Sequence, residues 1–255
     1  MFRLLGTIAT SALVLVSSHA RAEDLAFVAC PIVKDTPSVP CWLTEYDGEL
    51  YYMGVQSDVS APFNPPWLGH KALVEGTPSA EGERICGGIV LDPVTVSVMP
   101  EMSPECDEMR PADPGYVLPF EPRRPPGPSG GSLAFTPPPP PPPPEPPYEA
   151  KTFTILFPFE GSVNFQTPGA LQAIQEYAEN IGARRIVVTG YRASVRLTDG
   201  SLLTERAGIA ETRAREVSRM FDNLIPSVET VETLIDEEPR IGDRNDRRVD
   251  VTVEP

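Results

Sequence analysis

A run of eight consecutive prolines, Pro137 to Pro144, divides this chain. Proline has a fixed φ and no N–H to donate, so the run can only be a polyproline II rod. At about 3.1 Å per residue it spans roughly 25 Å. Proline- and glycine-rich sequence extends the rod on both sides, and the whole 119–148 stretch reads as a stiff linker. The 32 prolines in 255 residues are about one in eight, against a usual frequency near 5%. Two domains must therefore flank a spacer, at 23–118 and 149–255.

Residues 1–22 have the form of a secretory signal peptide. Arg3 gives the charged start, Leu4 to Val16 is mostly apolar, and Ala20-Arg21-Ala22 is a small-x-small cleavage pattern. The apolar run falls short of the roughly 20 residues that span a bilayer, so cleavage near Ala22 and an exported, periplasmic chain are expected. Cleavage removes His19 and leaves His70 as the one mature histidine. Histidine-dependent triads, zinc hydrolysis and multi-histidine metal sites become poor readings. No Gly-rich phosphate loop is present, and no carboxylate pair stands out from an acidic surface. No catalytic residue, cofactor or metal is expected, and the chain reads as a non-enzyme. The enzymatic alternative needs His70 in a deep cleft with an acidic neighbour.

Export also sets the redox compartment. Cys30, Cys41, Cys86 and Cys106 are even in number, form no C-x-x-C pair and all precede the linker. They read as two structural disulfides with three possible pairings. The most local pairs, Cys30–Cys41 and Cys86–Cys106, are the expected ones. The surrounding segment predicts a small all-β domain. Leu50–Val55, Lys71–Gly76, Arg84–Leu91 and Val94–Val98 are strand-like, separated by turn signals at Asp47-Gly48, Asn64-Pro65-Pro66 and Glu81-Gly82. A barrel or sandwich follows, the OB fold among the candidates. Trp42, Tyr46, Tyr51, Tyr52 and Trp67 read as core aromatics, with a ligand platform as the alternative.

Charge narrows the partners. The chain carries 36 acidic against 21 basic side chains, a net −15, and residues 23–121 alone hold 17 against 4. That balance excludes a nucleic-acid backbone or an anionic bilayer as the main partner.

Beyond the linker, strand and helix alternate. Phe153–Phe157 and Arg185–Thr189 are strands. Thr167 is placed to cap a helix with Pro168 in its first turn and Leu171, Ile174, Ala178 and Ile181 on its apolar face. Leu203, Ala207, Ala210, Ala214, Val217, Phe221 and Leu224 trace a second helical stripe at spacings of 4, 3, 4, 3, 4 and 3. Val228–Ile235 and Arg248–Val253 close a β-α-β-α-β-β order, an α/β sandwich with helices on one sheet.

Four pieces of this domain resemble the OmpA-like peptidoglycan-binding family. They are Ile155-Leu156-Phe157-Pro158-Phe159 with Ser162, Ile186-Val187-Val188-Thr189-Gly190-Tyr191, Ile209 to Val217 with Arg213 at its centre, and Asn245-Asp246-Arg247-Arg248-Val249-Asp250-Val251. The resemblance implies docking on the diaminopimelate stem peptide of peptidoglycan. It also implies an envelope location in a Gram-negative bacterium, with any outer-membrane association made through a protein partner. It gives Arg213 the ligand carboxylate and places Tyr191, Asn245 and Arg248 at the site. Ala193 stands where the family carries its aspartate, and the interval from Ala193 to Arg213 is longer than in the family. Asp199, inside that interval, is the candidate replacement. The missing aspartate, with Arg192, Arg196 and Arg206 nearby, also fits a protein-interaction module that has lost the wall ligand.

Overall fold

A computed structural model describes residues 24–55, 67–112, 114, 117, 144–162, 166–167, 169–225, 227–242 and 244–255. The expected signal peptide and most of the expected linker lie outside the described residues. The described chain is mostly β, in two sheets with two helices and two disulfides.

The first sheet has eight strands: β1 Leu25–Ala29, β2 Pro31–Lys34, β3 Cys41–Tyr46, β4 Glu49–Val55, β5 His70–Pro78, β6 Arg84–Ile85, β7 Gly88–Met102 and β8 Met109–Arg110. Their order is β1-β5-β7-β4-β3-β2-β8, with β6 on β7, and the pairs β4–β7 and β2–β8 are parallel. This path departs from the five strands of an OB fold. The Asp47-Gly48 signal is realised as the β3–β4 hairpin turn, both residues at positive φ (50° and 77°), the requirement of a type I′ loop.

Fifteen-residue β7 serves both halves of the sheet, pairing β4 through Ile89 and Val90 and β5 from Leu91 onward. The sheet curls on itself there. Phe27 of β1 stacks on Tyr46 of β3 at 4.4 Å, and Trp42, Tyr51, Met53, Val74, Leu91 and Val96 join them in one core. Four of the five aromatics are thus buried or half-buried, while Trp67 is 61% exposed.

Three expectations for this half are corrected. Strands β1 to β3, short and interrupted by proline and cysteine, precede the first strand read from sequence. The stretches 84–91 and 94–98 become the short β6 and the single long β7, because a one-residue bulge absorbs Asp92-Pro93 where Leu91 faces Pro78 and Val94 faces Gly76. The disulfides join Cys30 to Cys106 and Cys41 to Cys86, not the local pairs. Strand pairing decides this: Val33 opposite Met109 in β2–β8 draws Cys30 and Cys106 together.

The second sheet contains β9 Lys151–Leu156, β10 Arg185–Arg196, β11 Leu202–Thr204, β12 Thr230–Ile241 and β13 Arg248–Glu254, with helices α1 Ala170–Ile181 and α2 Ile209–Leu224. Antiparallel β9–β13–β10 continues into parallel β12 on the other edge of β10, and β11 pairs the far end of β10. Alternating Ile186, Val188, Val249, Val251 and Val253 face Ile174 and Ala178 of α1 and Ala214, Val217 and Phe221 of α2.

Both helices are shorter than their patterns. Thr167 does not cap α1: its Oγ1 accepts from the Leu156 N–H and its carbonyl from the Ala170 N–H. The helix begins after Gly169 and ends at Gly182 in the left-handed conformation. The α2 stripe is real from Ala210 to Phe221, but Leu203 belongs to β11, Ala207 lies outside the helix, and Leu224 is exposed.

The sheets meet along a seam. Leu73, Phe159 and Val195 are buried together there. The Phe159 N–H donates to Ser97 Oγ at 3.0 Å, Thr198 and Ala26 share three hydrogen bonds, and buried Arg247 reaches Glu75 at 2.9 Å.

Candidate functional site

Gly190 sets the position of α2. A Cβ there would lie 2.2 Å from the Ala210 carbonyl oxygen and 2.9 Å from Ala214 Cβ, so only glycine lets the helix rest this closely on β10. One turn along α2, Arg213 then projects into the space between the end of β10 and the β9–α1 connection. The domain's buried stripe makes it a core residue: Arg213 is wholly buried.

Its five N–H donors are all engaged by the chain itself. Nε donates to the Gly161 carbonyl (2.8 Å), Nη1 to Tyr191 O (3.3 Å) and Glu205 Oε2 (3.0 Å), and Nη2 to Pro158 O (3.0 Å) and Glu205 Oε1 (2.5 Å). The guanidinium also lies over the Phe157 ring at 5.2 Å. Glu205 is buried too, and completes its valences with the backbone N–H groups of Ala193 (2.9 Å) and Glu160 (3.0 Å). This is a two-pronged Arg–carboxylate grip with both partners internal.

Glu205 was not among the residues singled out from sequence. It sits between β11 and α2, inside the lengthened interval from Ala193 to Arg213, and nothing in the periodicity marks it. Ala193 contributes its backbone N–H to that carboxylate rather than a side chain. Beside it, Glu160 pairs with Arg206 at 3.2 Å. Burial, with the neighbouring Glu205 charge adding to it, pushes the Glu160 carboxyl above its ordinary value against the opposing pull of Arg206.

The remaining expected residues fall in two other places. Asp199 is exposed in the β10–β11 turn and accepts from Ser201 N–H (2.8 Å) and Oγ (2.6 Å). Those bonds hold its carboxyl below the usual range. It is a turn residue and has not swung in to replace the aspartate. Tyr191, Asn245 and Arg248 do come together, where β13 begins beside β10. The Tyr191 ring carries Arg240 at 3.9 Å and Arg248 at 5.0 Å. Arg248 donates to Asp250 (3.2 Å), Asp246 (3.0 Å) and the Asn245 carbonyl (3.4 Å), and Arg240 to Asp236 (3.1 Å). Tyr191 touches Arg213 through its main-chain oxygen. Among the arginines expected to add charge, Arg192 pairs with Glu237 (3.5 Å) and Arg206 with Glu160.

His70 is half-buried in β5, its Nδ1 2.8 Å from the Met99 carbonyl oxygen and its ring edge-on to Trp67. Among the described residues no group of three or more His, Cys, Asp or Glu side chains is arranged to hold a metal ion, and no helix is long and apolar enough to cross a membrane.

Comparison with protein-family models, with curated proteins and with solved structures finds no match for this chain.

Proposed function

We propose that this chain is an exported, non-catalytic envelope protein that works by binding a protein partner, and that its C-terminal unit does not recognise diaminopimelate through Arg213. The observation that carries this reading is the Glu205 carboxylate on Arg213. A wall ligand would have to present its own carboxylate to this guanidinium, and Glu205 already makes both bonds, deep in the protein. Displacing it would strand a buried carboxylate, which costs several kcal/mol.

Export is supported by the two disulfides, which belong to an oxidising compartment outside the cytoplasm, and by the sequence of residues 1–22. The resemblance of Arg213, Gly190-Tyr191 and the 245–251 strand to the OmpA-like family is read here as a shared framework with its ligand seat filled from within. The proline-rich stretch then serves as the covalent connection between two units that pack on one another.

Co-sedimentation of the full mature chain with diaminopimelate-type sacculi tests this. The expected result is that free meso-diaminopimelate leaves the pelleted fraction unchanged, whatever that fraction is. Pelleting that free meso-diaminopimelate competes away would overturn the reading and restore wall docking at this site.

A further inference from the structure

A cavity of about 430 Å³ opens on the seam between the sheets, where β1 and β5 meet the ends of β10 and β12. Four ionisable side chains line it: Asp24, Glu75, Arg196 and Arg244. The two arginines are set apart from the rest of the molecule. Every other described arginine has a carboxylate within ion-pair distance. Arg196 donates from Nη1 to the Gly200 carbonyl (3.3 Å) and Arg244 from Nη1 to Thr95 Oγ1 (3.2 Å), so neither guanidinium charge is met by a carboxylate among the described residues. Both side chains are exposed at the cavity mouth, and in a chain of net charge −15 two such cations on one cavity make it the candidate seat for an anion.

Strand register puts them there. Ser194 faces Ile241 in the β10–β12 pair, and the Gly242 N–H donates to the Ser194 carbonyl. Arg196 and Arg244 therefore leave adjacent strand ends two and three residues further on. The opposite wall is acidic but already committed. Glu75 Oε1 accepts from buried Arg247 (2.9 Å), and Asp24 Oδ1 from Thr77 Oγ1 (2.5 Å). Glu75 Oε2 is buried without a hydrogen-bond partner, although Arg247 Nη2 stands 2.7 Å away. Counting Asp24 and Glu75 against Arg196, Arg244 and Arg247 leaves one positive charge, so the cavity favours a ligand with a single anionic group and hydrogen-bond donors on its other side.

We propose that this seam cavity binds the carboxylate end of a short peptide, the carboxylate between Arg196 and Arg244 and a peptide N–H toward Asp24. Guanidinium matches a carboxylate with parallel donors, which is the geometry this ligand offers. At about 430 Å³ the cavity lies within the range of small-ligand sites, the scale of a tripeptide. The proposal is independent of the Arg213 reading.

Titration calorimetry of the full mature chain with trialanine tests it. Binding is expected, weakened at least about tenfold with trialanine amide, which lacks the anion, and at least about tenfold in Arg196→Gln and Arg244→Gln. Arg244→Gln also removes the bond to Thr95 across the seam, so Thr95→Val is the control: it breaks that bond, keeps the guanidinium and should bind as the wild type does. N-acetyl-trialanine separates the sources. Binding equal to trialanine assigns the site to the chain end of a protein, and weaker binding to a free peptide; either upholds the carboxylate seat. No heat at about 10 mM trialanine, equal affinity for the amide, or an unchanged Arg196→Gln protein would overturn it.

Discussion

Arg213 and Glu205 carry charge into a place where water cannot help either of them. Such a pair contributes little over a well-packed apolar replacement, but breaking it is costly because one charge is left without its partner. Glu205→Gln should therefore destabilise the chain by about 3–5 kcal/mol in urea unfolding, whereas Asp199→Ala, at an exposed turn, should change stability by no more than about 1 kcal/mol. Equal small effects at both positions would contradict the buried pair. Glu160 makes a prediction in pH. Its folded carboxyl titrates above the ordinary value of about 4.3, so across that interval the native state holds the extra proton and stability falls as pH rises through it. In Glu160→Gln that part of the fall in melting temperature should vanish. Asp199 runs the other way: its contribution is present above about pH 3.9 and lost as pH drops through its lowered folded value.

At the scale of elements, what periodicity could reach was the second sheet. The alternation of 185–189 and 248–253 and the stripe from Ala210 to Phe221 each bury one face within an element of the expected kind. The first strand runs on to Arg196, however, and the added β11 turns the expected β-α-β-α-β-β order into β-α-β-β-α-β-β. The ends were less legible. Leu203 keeps helical spacing with Ala207, yet pairs with Val195 as β11, because only the fold brings a strand edge to it. Thr167 has the chemistry of a cap but found the β9 backbone first. Strands β1 to β3 were illegible since their pattern is short and broken, and their pairing depends on β5 and β8, far along the chain. Gly190 is where element packing is most exposed to a single change. Gly190→Ala would drive a methyl into the Ala210 carbonyl and lift α2 from β10. The expected loss is about 2–3 kcal/mol, within the range for overpacked cores, read from the urea midpoint. A loss below about 0.5 kcal/mol would mean α2 does not sit this close.

The whole molecule is held by links that no local pattern announces. Cys30–Cys106 closes 76 residues and Cys41–Cys86 closes 45, and the seam depends on contacts such as Glu75–Arg247, 172 residues apart. Loop-closure entropy assigns each disulfide about 4 kcal/mol. Removing Cys41–Cys86 as a double serine variant should cost about 2–5 kcal/mol, and peptide mapping of the native chain should recover only the two long-range pairs. The candidate site was half legible for the same reason. Arg213 could be placed by its neighbours in sequence, but its partner Glu205 reaches it only after β11 has folded back along β10. That pairing is the central claim, and the side-chain ¹⁵N NMR signal of Arg213 Nε–H tests it most directly in the full mature chain. With all five donors bonded inside the protein, the signal should exchange slowly with water and stay unmoved by meso-diaminopimelate. Rapid exchange, or a shift that saturates with meso-diaminopimelate, would show an open guanidinium and contradict the account.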